Sequence, residues 1–491
     1  MIIVSITGPD MKRALAQVAG SARFAGMFEF RLDLIRSADL GRLLDSTRKP
    51  TIVTCRPTWE GGLFAGSEAE RINILRSASM LGARYVDLEV RSEHRVIRDF
   101  IGRQSETQVI LSYHHFSGAL PDVRKVYREL SAHGAGIIKF AYPASDAFEN
   151  RLAFDFLELA RADRQKSVAI AMGEAGELSR IVYKKFGGWG TYAGTEDGAN
   201  AAPGQIPASR LVNLYRSENL SPATKVYGVV GSQVRHSKGI FVHNALFAKA
   251  KSNSVYCRFP VRDLNAFMQD VGPLIDGFSV TIPHKESIMK YLPAVDPVAR
   301  RIGAVNTVVR KNKKLFGTNT DAPGALDAIE KVTSVRGKRM LIVGAGGAAR
   351  AIAFEALQRG ASVLVANRTA ARAKALATAF GLRAVRMKSN RLTPSDLSPD
   401  EFEIVVNATS VGMTPNVRES PLAKPMLKGK LVFDAVYSPP MTKLLRDAKR
   451  AGAKIISGSE MYLNQAIRQS LLFCGRRPDS RLMRRILSNP S

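Results

Sequence analysis

Eight short apolar runs recur through the first ~205 residues, each followed by a turn and most by a stretch with helical spacing. They are residues 2–6, 28–32, 51–55, 85–88, 109–112, 136–140, 168–172 and 191–193, the last being the shortest and weakest. Strand, turn and helix repeated eight times fit a (β/α)8 barrel. Polar residues sit within or just past the runs: Glu29, Arg31, Arg56, Glu89, His114, Lys139, Arg180 and Gln205. In such a barrel the C-terminal strand ends and the loops after them form the active-site face. Eight polar groups in that register therefore mark a candidate site.

The rhythm breaks after residue 206. Residues 207–224 contain a short helical stretch and then Ser-Glu-Asn-Leu-Ser-Pro-Ala-Thr, a polar, proline-containing segment that reads as a linker. A second α/β pattern starts at residue 225, with strands expected at 226–230, 255–259, 278–282 and 305–309. A third unit opens at Arg339. The expected division is a barrel over 1–206, an α/β substrate domain over 225–325 completed by 460–491, and a Rossmann domain over 326–459. With 491 residues, the chain is long enough for several cores.

Lys139 lies inside the apolar run Gly-Ile-Ile-Lys-Phe-Ala. Burial disfavours a charged amine, and a neutral amine attacks ketones to form an imine. An isolated strand lysine more often packs its stem and keeps its head in water. His114 at the end of the preceding run favours chemistry, since histidine moves protons near neutral pH. Glu89, ending the run before that, is placed to orient the imidazole.

The stretches Glu29-Phe-Arg31, Thr54-Cys-Arg56-Pro, Tyr85-Val-Asp-Leu-Glu89, Ser112-Tyr-His114, Ile138-Lys139, Ser179-Arg180 and Pro203-Gly-Gln205 resemble type I 3-dehydroquinate dehydratase, in family order. The resemblance implies an imine between Lys139 and the substrate ketone, with His114 removing the C2 proton and aiding loss of the C1 hydroxyl. It further implies that Arg180 holds the substrate carboxylate, while Glu29, Arg31, Arg56 and Gln205 bind hydroxyls and order the site. One departure is Ala201, where the family has serine. Weaker substrate binding is expected there, by about 0.5–1.5 kcal/mol for a lost hydroxyl contact.

Residues 339–352 read as strand, glycine turn and helix with G-x-G-x-x-A spacing: Gly344, Ala345, Gly346, Gly347, Ala348, Ala349. Gly344 suits the tight turn and Gly346 a close approach to a pyrophosphate. The following strand ends in Asn367-Arg368-Thr369, then Arg372. Positive charge, where an NAD site carries an acid, favours NADP. Thr409, in Asn407-Ala-Thr-Ser-Val-Gly-Met413, and Gly458 complete the expected cofactor set. Lys285 lies just past an expected strand and Asp321 in Asn319-Thr-Asp321, and the pair suits the proton transfer of ketone reduction.

Together with Tyr227-Gly-Val-Val-Gly231, Gly303-Ala-Val-Asn306-Thr, Asp434-Ala-Val-Tyr437 and Gly458-Ser-Glu-Met461, these stretches resemble shikimate dehydrogenase. The resemblance implies that Lys285 and Asp321 are catalytic and that Ser237, Thr281, Asn306, Tyr437 and Gln465 line the substrate site. The implied reactions are dehydration of 3-dehydroquinate to 3-dehydroshikimate and NADPH-dependent reduction to shikimate. Two departures stand out. Gly239 replaces a family serine and is expected to open space beside the substrate's C1, which raises quinate as an alternative substrate. Ala322 replaces a glycine after Asp321.

The net charge is +29, from 72 Lys and Arg against 43 Asp and Glu. The basic residues spread along the chain, densest at Arg476, Arg477, Arg481, Arg484 and Arg485. That spread reads as a generally basic proteome or as attraction for small anions, rather than as a nucleic-acid site. A metabolite-sensing regulator built from these domains is the other reading. Such a sensor needs no imine or proton-transfer groups, and no helix-turn-helix signal is present. Cys55, Cys257 and Cys474 lie far apart, which fits a reducing cytoplasm, and they form no metal-ligand cluster. No run is apolar enough to expect a membrane span, and the first residues read as a strand rather than a targeting segment.

Overall fold

The computed structural model describes residues 1–102, 106–116 and 118–488. The chain forms two compact units, Met1–Ile275 and Asp276–Ser491.

The first unit opens with eight parallel strands: β1 (Ile2–Ile6), β2 (Met27–Arg31), β3 (Thr51–Thr54), β4 (Tyr85–Glu89), β5 (Gln108–His114), β6 (Ile137–Pro143), β7 (Lys166–Met172) and β8 (Thr191–Ala193). Neighbours pair in sequence, and β8 returns to pair with β1 through Ile2–Thr191, Ile3–Tyr192 and Val4–Ala193. Just before β8, the Trp189 N–H donates to Ser167 O of β7 at 2.8 Å, drawing the barrel nearly shut. All eight expected strands form, including the weak last one.

Seven helices join the strands: α1 (Met11–Ser21), α2 (Leu40–Asp45), α3 (Glu68–Met80), α4 (His94–Gly102), α5 (Val123–Ser131), α6 (Asn150–Ala162) and α7 (Glu177–Ile181). Local chemistry fixes several of their starts. Asp10, Asp39 and Asp122 accept first-turn N–H groups, and Ser67 with Glu70 forms a capping box. Side chains alternate along a strand, so residues two apart share a face. Glu29 and Arg31 on β2, Asp87 and Glu89 on β4, and Ser112 and His114 on β5 therefore form pairs pointing the same way. Parallel pairing sets Glu89 opposite Ser112 and Ser112 opposite Lys139.

The stretch expected as a linker packs closely. Leu211, Tyr215, Ser217, Leu220 and Thr224 are buried, and residues Arg210–Leu214 wind as a short helical turn. Next, β9 (Lys225–Gly231) and β10 (Ser254–Pro260) pair in parallel around α8 (Gly239–Lys249), followed by α9 (Leu264–Asp270).

In the second unit β11 (Gly277–Val280) pairs antiparallel with β13 (Thr307–Lys311), β13 with β14 (Lys314–Thr318), and the short β12 (Ala294–Val295) lies parallel to β14. α10 (Pro297–Ile302) and α11 (Asp321–Glu330) flank these strands. β11 ends two residues before the expected 282, where Ile282 is exposed, and β13 is shifted two residues toward the C-terminus from the expected 305–309.

Six parallel strands follow: β15 (Arg339–Val343), β16 (Ser362–Asn367), β17 (Arg383–Arg386), β18 (Ile404–Asn407), β19 (Leu431–Asp434) and β20 (Lys454–Ser457). Their order, β17-β16-β15-β18-β19-β20, is the doubly wound arrangement that leaves a ligand crevice where β15 meets β18. Helices α12 (Gly347–Gln358), α13 (Ala370–Phe380) and α14 (Lys443–Arg450) cover the sheet. Beyond β20 come α15 (Gly458–Cys474) and α16 (Ser480–Ser488). α15 packs along α11, whose Gly324 would place a Cβ 3.1 Å from the Gln465 backbone. No described helix is long and apolar enough to cross a membrane.

Candidate active sites

Lys139 is buried within the barrel, its Nζ 2.8 Å from Asp87 Oδ2 and 4.3 Å from the centre of the Tyr192 ring. Asp87 also takes Arg56 Nη2 at 3.0 Å and Ser112 Oγ at 2.6 Å. Burial alone would raise the Asp87 carboxyl. Arg56 and Lys139 outweigh burial and hold it well below the ordinary carboxylate range. Asp87 was not singled out from the sequence, although its place two residues before Glu89 puts both on one face of β4.

Glu89 does not orient His114 as expected. Its oxygens are taken by Arg56 Nη1 at 2.6 Å and by Arg71 Nη1, both side chains buried. Burial pushes the Glu89 carboxyl up against the pull of those arginines. The carboxylate beside His114 is Glu60, which accepts the His114 backbone N–H at 2.7 Å and lies 3.3 Å from Nδ1. Glu60 follows β3 on the loop that carries Arg56, and Arg91 balances it at 3.3 Å. Burial drives the imidazole well below its usual pKa, and the charges of Arg56 and Lys139 act the same way. His114 is thus a neutral base at pH 7.

The remaining barrel residues cluster as follows. Glu29 accepts from Ser5 Oγ at 2.6 Å and Thr54 Oγ1 at 2.9 Å, and Gln205 Nε2 donates to the same Ser5 Oγ at 3.2 Å. Gln205 Oε1 accepts the Ala201 N–H at 2.8 Å. Arg31 makes a two-pronged pair with Asp33 at 2.9 and 2.7 Å. Arg180, on α7, donates through Nη1 to Tyr192 O at 3.0 Å and through Nη2 to Pro203 O at 3.4 Å. Among the described residues no carboxylate is hydrogen-bonded to it, and burial lowers its pKa to about 10.

Farther along this unit, Ser237 Oγ accepts the Gly239 N–H at 3.2 Å. A Cβ at Gly239 would lie 3.1 Å from Tyr256 Cε1 and 3.2 Å from Ser237 Oγ. The expected open space is therefore small and walled by the Tyr256 ring.

In the second unit Lys285 Nζ meets Asp321 Oδ2 at 2.5 Å. Asp321 is the first residue of α11, where the helix dipole favours an anion. Asn319 Oδ1 accepts the Asp321 and Ala322 N–H groups at 3.0 and 3.1 Å, so Ala322 fits the helix start unstrained. Asn306 Oδ1 accepts the Thr320 N–H at 2.8 Å while its Nδ2 donates to Thr320 Oγ1 at 3.0 Å. Thr320 Oγ1 in turn donates to Gln465 Oε1 at 3.5 Å. Thr281 is half-buried just past β11. Tyr437 packs against Tyr462 with ring centres 4.8 Å apart.

The glycine turn fits a dinucleotide. Gly344 adopts φ +128, and a Cβ there would sit 2.8 Å from Ala408 O, where the loops after β15 and β18 converge. Gly346, by contrast, has no heavy atom near its Cβ position, which leaves room before the N-terminus of α12. A Cβ at Gly347 would fall 3.0 Å from Lys285 Cβ, so this glycine lets the cofactor helix approach the Lys–Asp pair. Ala345 and Ala348 flank it in the same turn. Asn367 Nδ2 donates to Thr369 O at 3.0 Å, shaping the turn that presents the exposed Arg368 and, one helical turn on, Arg372. Thr409 Oγ1 donates to Asn407 Oδ1 at 2.7 Å, and Gly458 packs its Cα against the main chain of Ala435 and Val436.

Residues 2–222 match the type I 3-dehydroquinase family, 229–308 the shikimate dehydrogenase substrate binding domain, and 327–434 the shikimate/quinate 5-dehydrogenase family. The chain is 38% identical to the chloroplastic bifunctional 3-dehydroquinate dehydratase/shikimate dehydrogenase of Arabidopsis thaliana, over 92% of this chain and 78% of that one. It is 30% identical to shikimate biosynthesis protein AroDE of Chlamydia pneumoniae, over 96% of this chain and 95% of that one. A shikimate dehydrogenase solved in complex with NADP+ superposes with a TM-score of 0.50 at 36% identity, covering 55% of this chain and 96% of that chain. A barrel with an internal lysine, joined to a glycine-turn dehydrogenase and related along nearly its full length to fused enzymes, belongs to the family of bifunctional 3-dehydroquinate dehydratases/shikimate dehydrogenases.

Proposed function

We propose that Lys139 dehydrates 3-dehydroquinate through an imine and that Lys285 with Asp321 then protonates the 3-dehydroshikimate carbonyl oxygen as it is reduced to shikimate. The two reactions are consecutive, and the enzyme is both a lyase and an NADP-dependent oxidoreductase. The observation that carries the first half is an amine buried inside the barrel, 2.8 Å from Asp87, with a buried histidine at the end of the neighbouring strand.

In the first reaction Lys139 Nζ adds to the ketone carbon, and the oxygen leaves as water. The protonated imine draws electrons from the neighbouring carbon, so His114 can take the C2 proton. The C–H electron pair forms the new double bond as the C1 hydroxyl departs, protonated by the imidazolium. Water then cleaves the imine and restores the amine. Asp87 and Arg56 fix the charge around Lys139, Glu60 positions the imidazole, and Arg180 receives the carboxylate. Glu29, Arg31 and Gln205 bind and order the hydroxyls.

In the second reaction bound NADPH supplies the hydride. Lys285 and Asp321 hold the proton destined for the carbonyl oxygen, while Ser237, Thr281, Asn306, Tyr437 and Gln465 bind the ring substituents. Gly344, Ala345, Gly346, Gly347 and Ala348 cradle the pyrophosphate, and Arg368 and Arg372 with Asn367 and Thr369 receive the 2′-phosphate. Thr409 and Gly458 belong to the loops on the nicotinamide side. The division into a barrel (1–206), a substrate domain (225–325 with 460–491) and an NADP domain (326–459) follows these roles. A cytoplasmic location accords with three unpaired cysteines.

The test supplies 3-dehydroquinate and NADPH and follows 3-dehydroshikimate and NADPH oxidation together. Borohydride added during turnover is expected to fix substrate mass on Lys139. Dehydration continuing while Lys139 stays unmodified removes the imine from the mechanism.

A further inference from the structure

The loops after β6 and β7 both lie at the barrel's catalytic mouth, and one buried side chain staples them together. Asn150 is fully buried at the start of α6. Its Nδ2 donates to Ala147 O at 2.9 Å and to Ala175 O at 2.7 Å, while its Oδ1 accepts the Ser179 N–H at 3.0 Å. Every polar atom of the amide is used. Ser179 is fixed further: its Oγ donates to Gly176 O at 2.9 Å and accepts the Ala171 N–H at 3.0 Å. The next residue is Arg180.

The other end of this path reaches past the barrel. Asp146, adjacent to Ala147, is buried. Its Oδ2 accepts the backbone N–H groups of Arg262 and Asp263, at 2.7 and 3.0 Å. Those residues link β10 to α9, where Asp263 caps α9 through the Ala266 N–H at 3.0 Å. Arg262 and Asp263 lie within residues 229–308, which match the dehydrogenase's substrate binding domain. Hydrogen bonds, together with the Asp146–Ala147 peptide link, therefore connect Arg262 and Asp263 through Asn150 to Ser179, the residue before Arg180.

We propose that Asn150 is a positioning residue for Arg180, and that Asp146 anchors the same loops to the dehydrogenase half, so that affinity for 3-dehydroquinate depends on a contact made outside the barrel. This rests on the reading of Arg180 as the partner of the substrate carboxylate. A clamp of that kind binds the unreacting end of the substrate. Misplacing it weakens capture without altering the imine chemistry at Lys139. Displacements of about an ångström far from the chemistry cost up to roughly a hundredfold.

The experiment measures dehydratase kcat and KM for Asn150→Asp, Asp146→Ala and Arg180→Met in the full chain, with shikimate oxidation as an internal control. Asn150→Asp keeps an acceptor for the Ser179 N–H and loses both donors. Expected is a KM for 3-dehydroquinate about tenfold higher, kcat within about twofold, and unchanged shikimate oxidation. Asp146→Ala is expected to act in the same direction, and it decides the matter if Asn150→Asp does not fold. In the Arg180→Met background, Asn150→Asp is expected to add little, since both act on one contact. If Arg180→Met raises KM while the other two leave it unchanged, or their effects simply multiply with it, the relay is refuted and the reading of Arg180 stands. If Arg180→Met itself leaves KM unchanged, the carboxylate reading falls and the relay falls with it.

Discussion

The two lysines proposed for the chemistry sit in opposite settings. Lys139 belongs to a buried lattice of fixed charges in which Asp87, Glu89, Arg56 and Arg71 hold one another and His114 faces Glu60. Lys285 pairs with Asp321 at the start of α11, and Gly347 of the glycine turn lies against its side chain. The contrast follows the reactions. In the proposed barrel reaction the protein itself becomes the electron sink, so it must stabilise a cation and a moving proton at once. In the dehydrogenase the reducing equivalent arrives with the cofactor. The chain there has to place a proton and leave room, which a single ion pair and three glycines accomplish.

The largest expected effect breaks the comparison on the barrel side. Lys139→Met should lower dehydration by more than about 10⁴-fold, since no other group can form the imine. Shikimate oxidation, assayed with NADP+ in the same preparation, should remain. Asp321→Asn is the counterpart. It should slow shikimate oxidation by about 10²–10⁴-fold, the range for a lost general acid–base group, and leave dehydration intact. Joint loss of both activities in either variant would mean that the two settings are not separate machines.

Smaller changes sharpen the contrast. Glu60→Gln removes the negative partner of His114 but keeps a hydrogen-bonding group, so dehydration should fall on the order of tenfold with little loss of stability. Glu89→Gln strips charge from two buried arginines, and its main effect should be on stability. Losing one partner of a buried pair costs about 3–5 kcal/mol. Urea midpoints for the two variants, set beside their rates, test this division. If Glu89→Gln is the more damaging to kcat at equal stability, then Glu89 and not Glu60 governs the imidazole. On the dehydrogenase side, Arg368→Ala should raise the KM for NADPH about tenfold and barely alter that for NADH, because only the former carries the 2′-phosphate.

Glu60 shows where sequence reading stops. It lies 54 residues from His114, in a loop without periodicity, so no local pattern joins them. Glu89 was the more visible carboxylate because it ends a strand. The alternation of Asp87 and Glu89 along β4 held the missing information, since two inward acids in one strand need cations across the barrel. The segment at 207–224 misled in a different way. Its composition is polar, yet Tyr215, Ser217 and Leu220 are buried. The eight strands and the glycine turn were legible because their signals are contiguous: an apolar run closed by a polar residue, or three glycines between a strand and a helix. Gly239 was legible as a departure, but not the Tyr256 ring that closes around it.

The smallest effect concerns a carboxylate that, unlike Asp87, is paired with no cation among the described residues. Asp434, at the end of β19, is buried and accepts from Thr442 Oγ1 at 2.5 Å, Asn407 Nδ2 at 2.9 Å and the Val436 N–H at 3.0 Å. It thereby joins the loop carrying Thr409 to the loop carrying Tyr437. Burial raises its pKa to about 6 in spite of those bonds. The folded chain therefore binds a proton here that the unfolded chain, with an ordinary carboxyl near pH 4, has released. The group's contribution to stability is greatest below that value and is lost as pH rises through about 6. Asp434→Asn removes the titration while keeping the shape. The stability of the parent relative to this variant should rise by about 1 kcal/mol between about pH 7.5 and pH 5. The same comparison for Glu60→Gln should share that sign, because burial raises Glu60 too. For Asp87→Asn it should reverse and lie at much lower pH, because cations hold Asp87 ionised. Equal slopes for Asp434 and Asp87 would erase the distinction between a carboxylate held by charges and one held by dipoles.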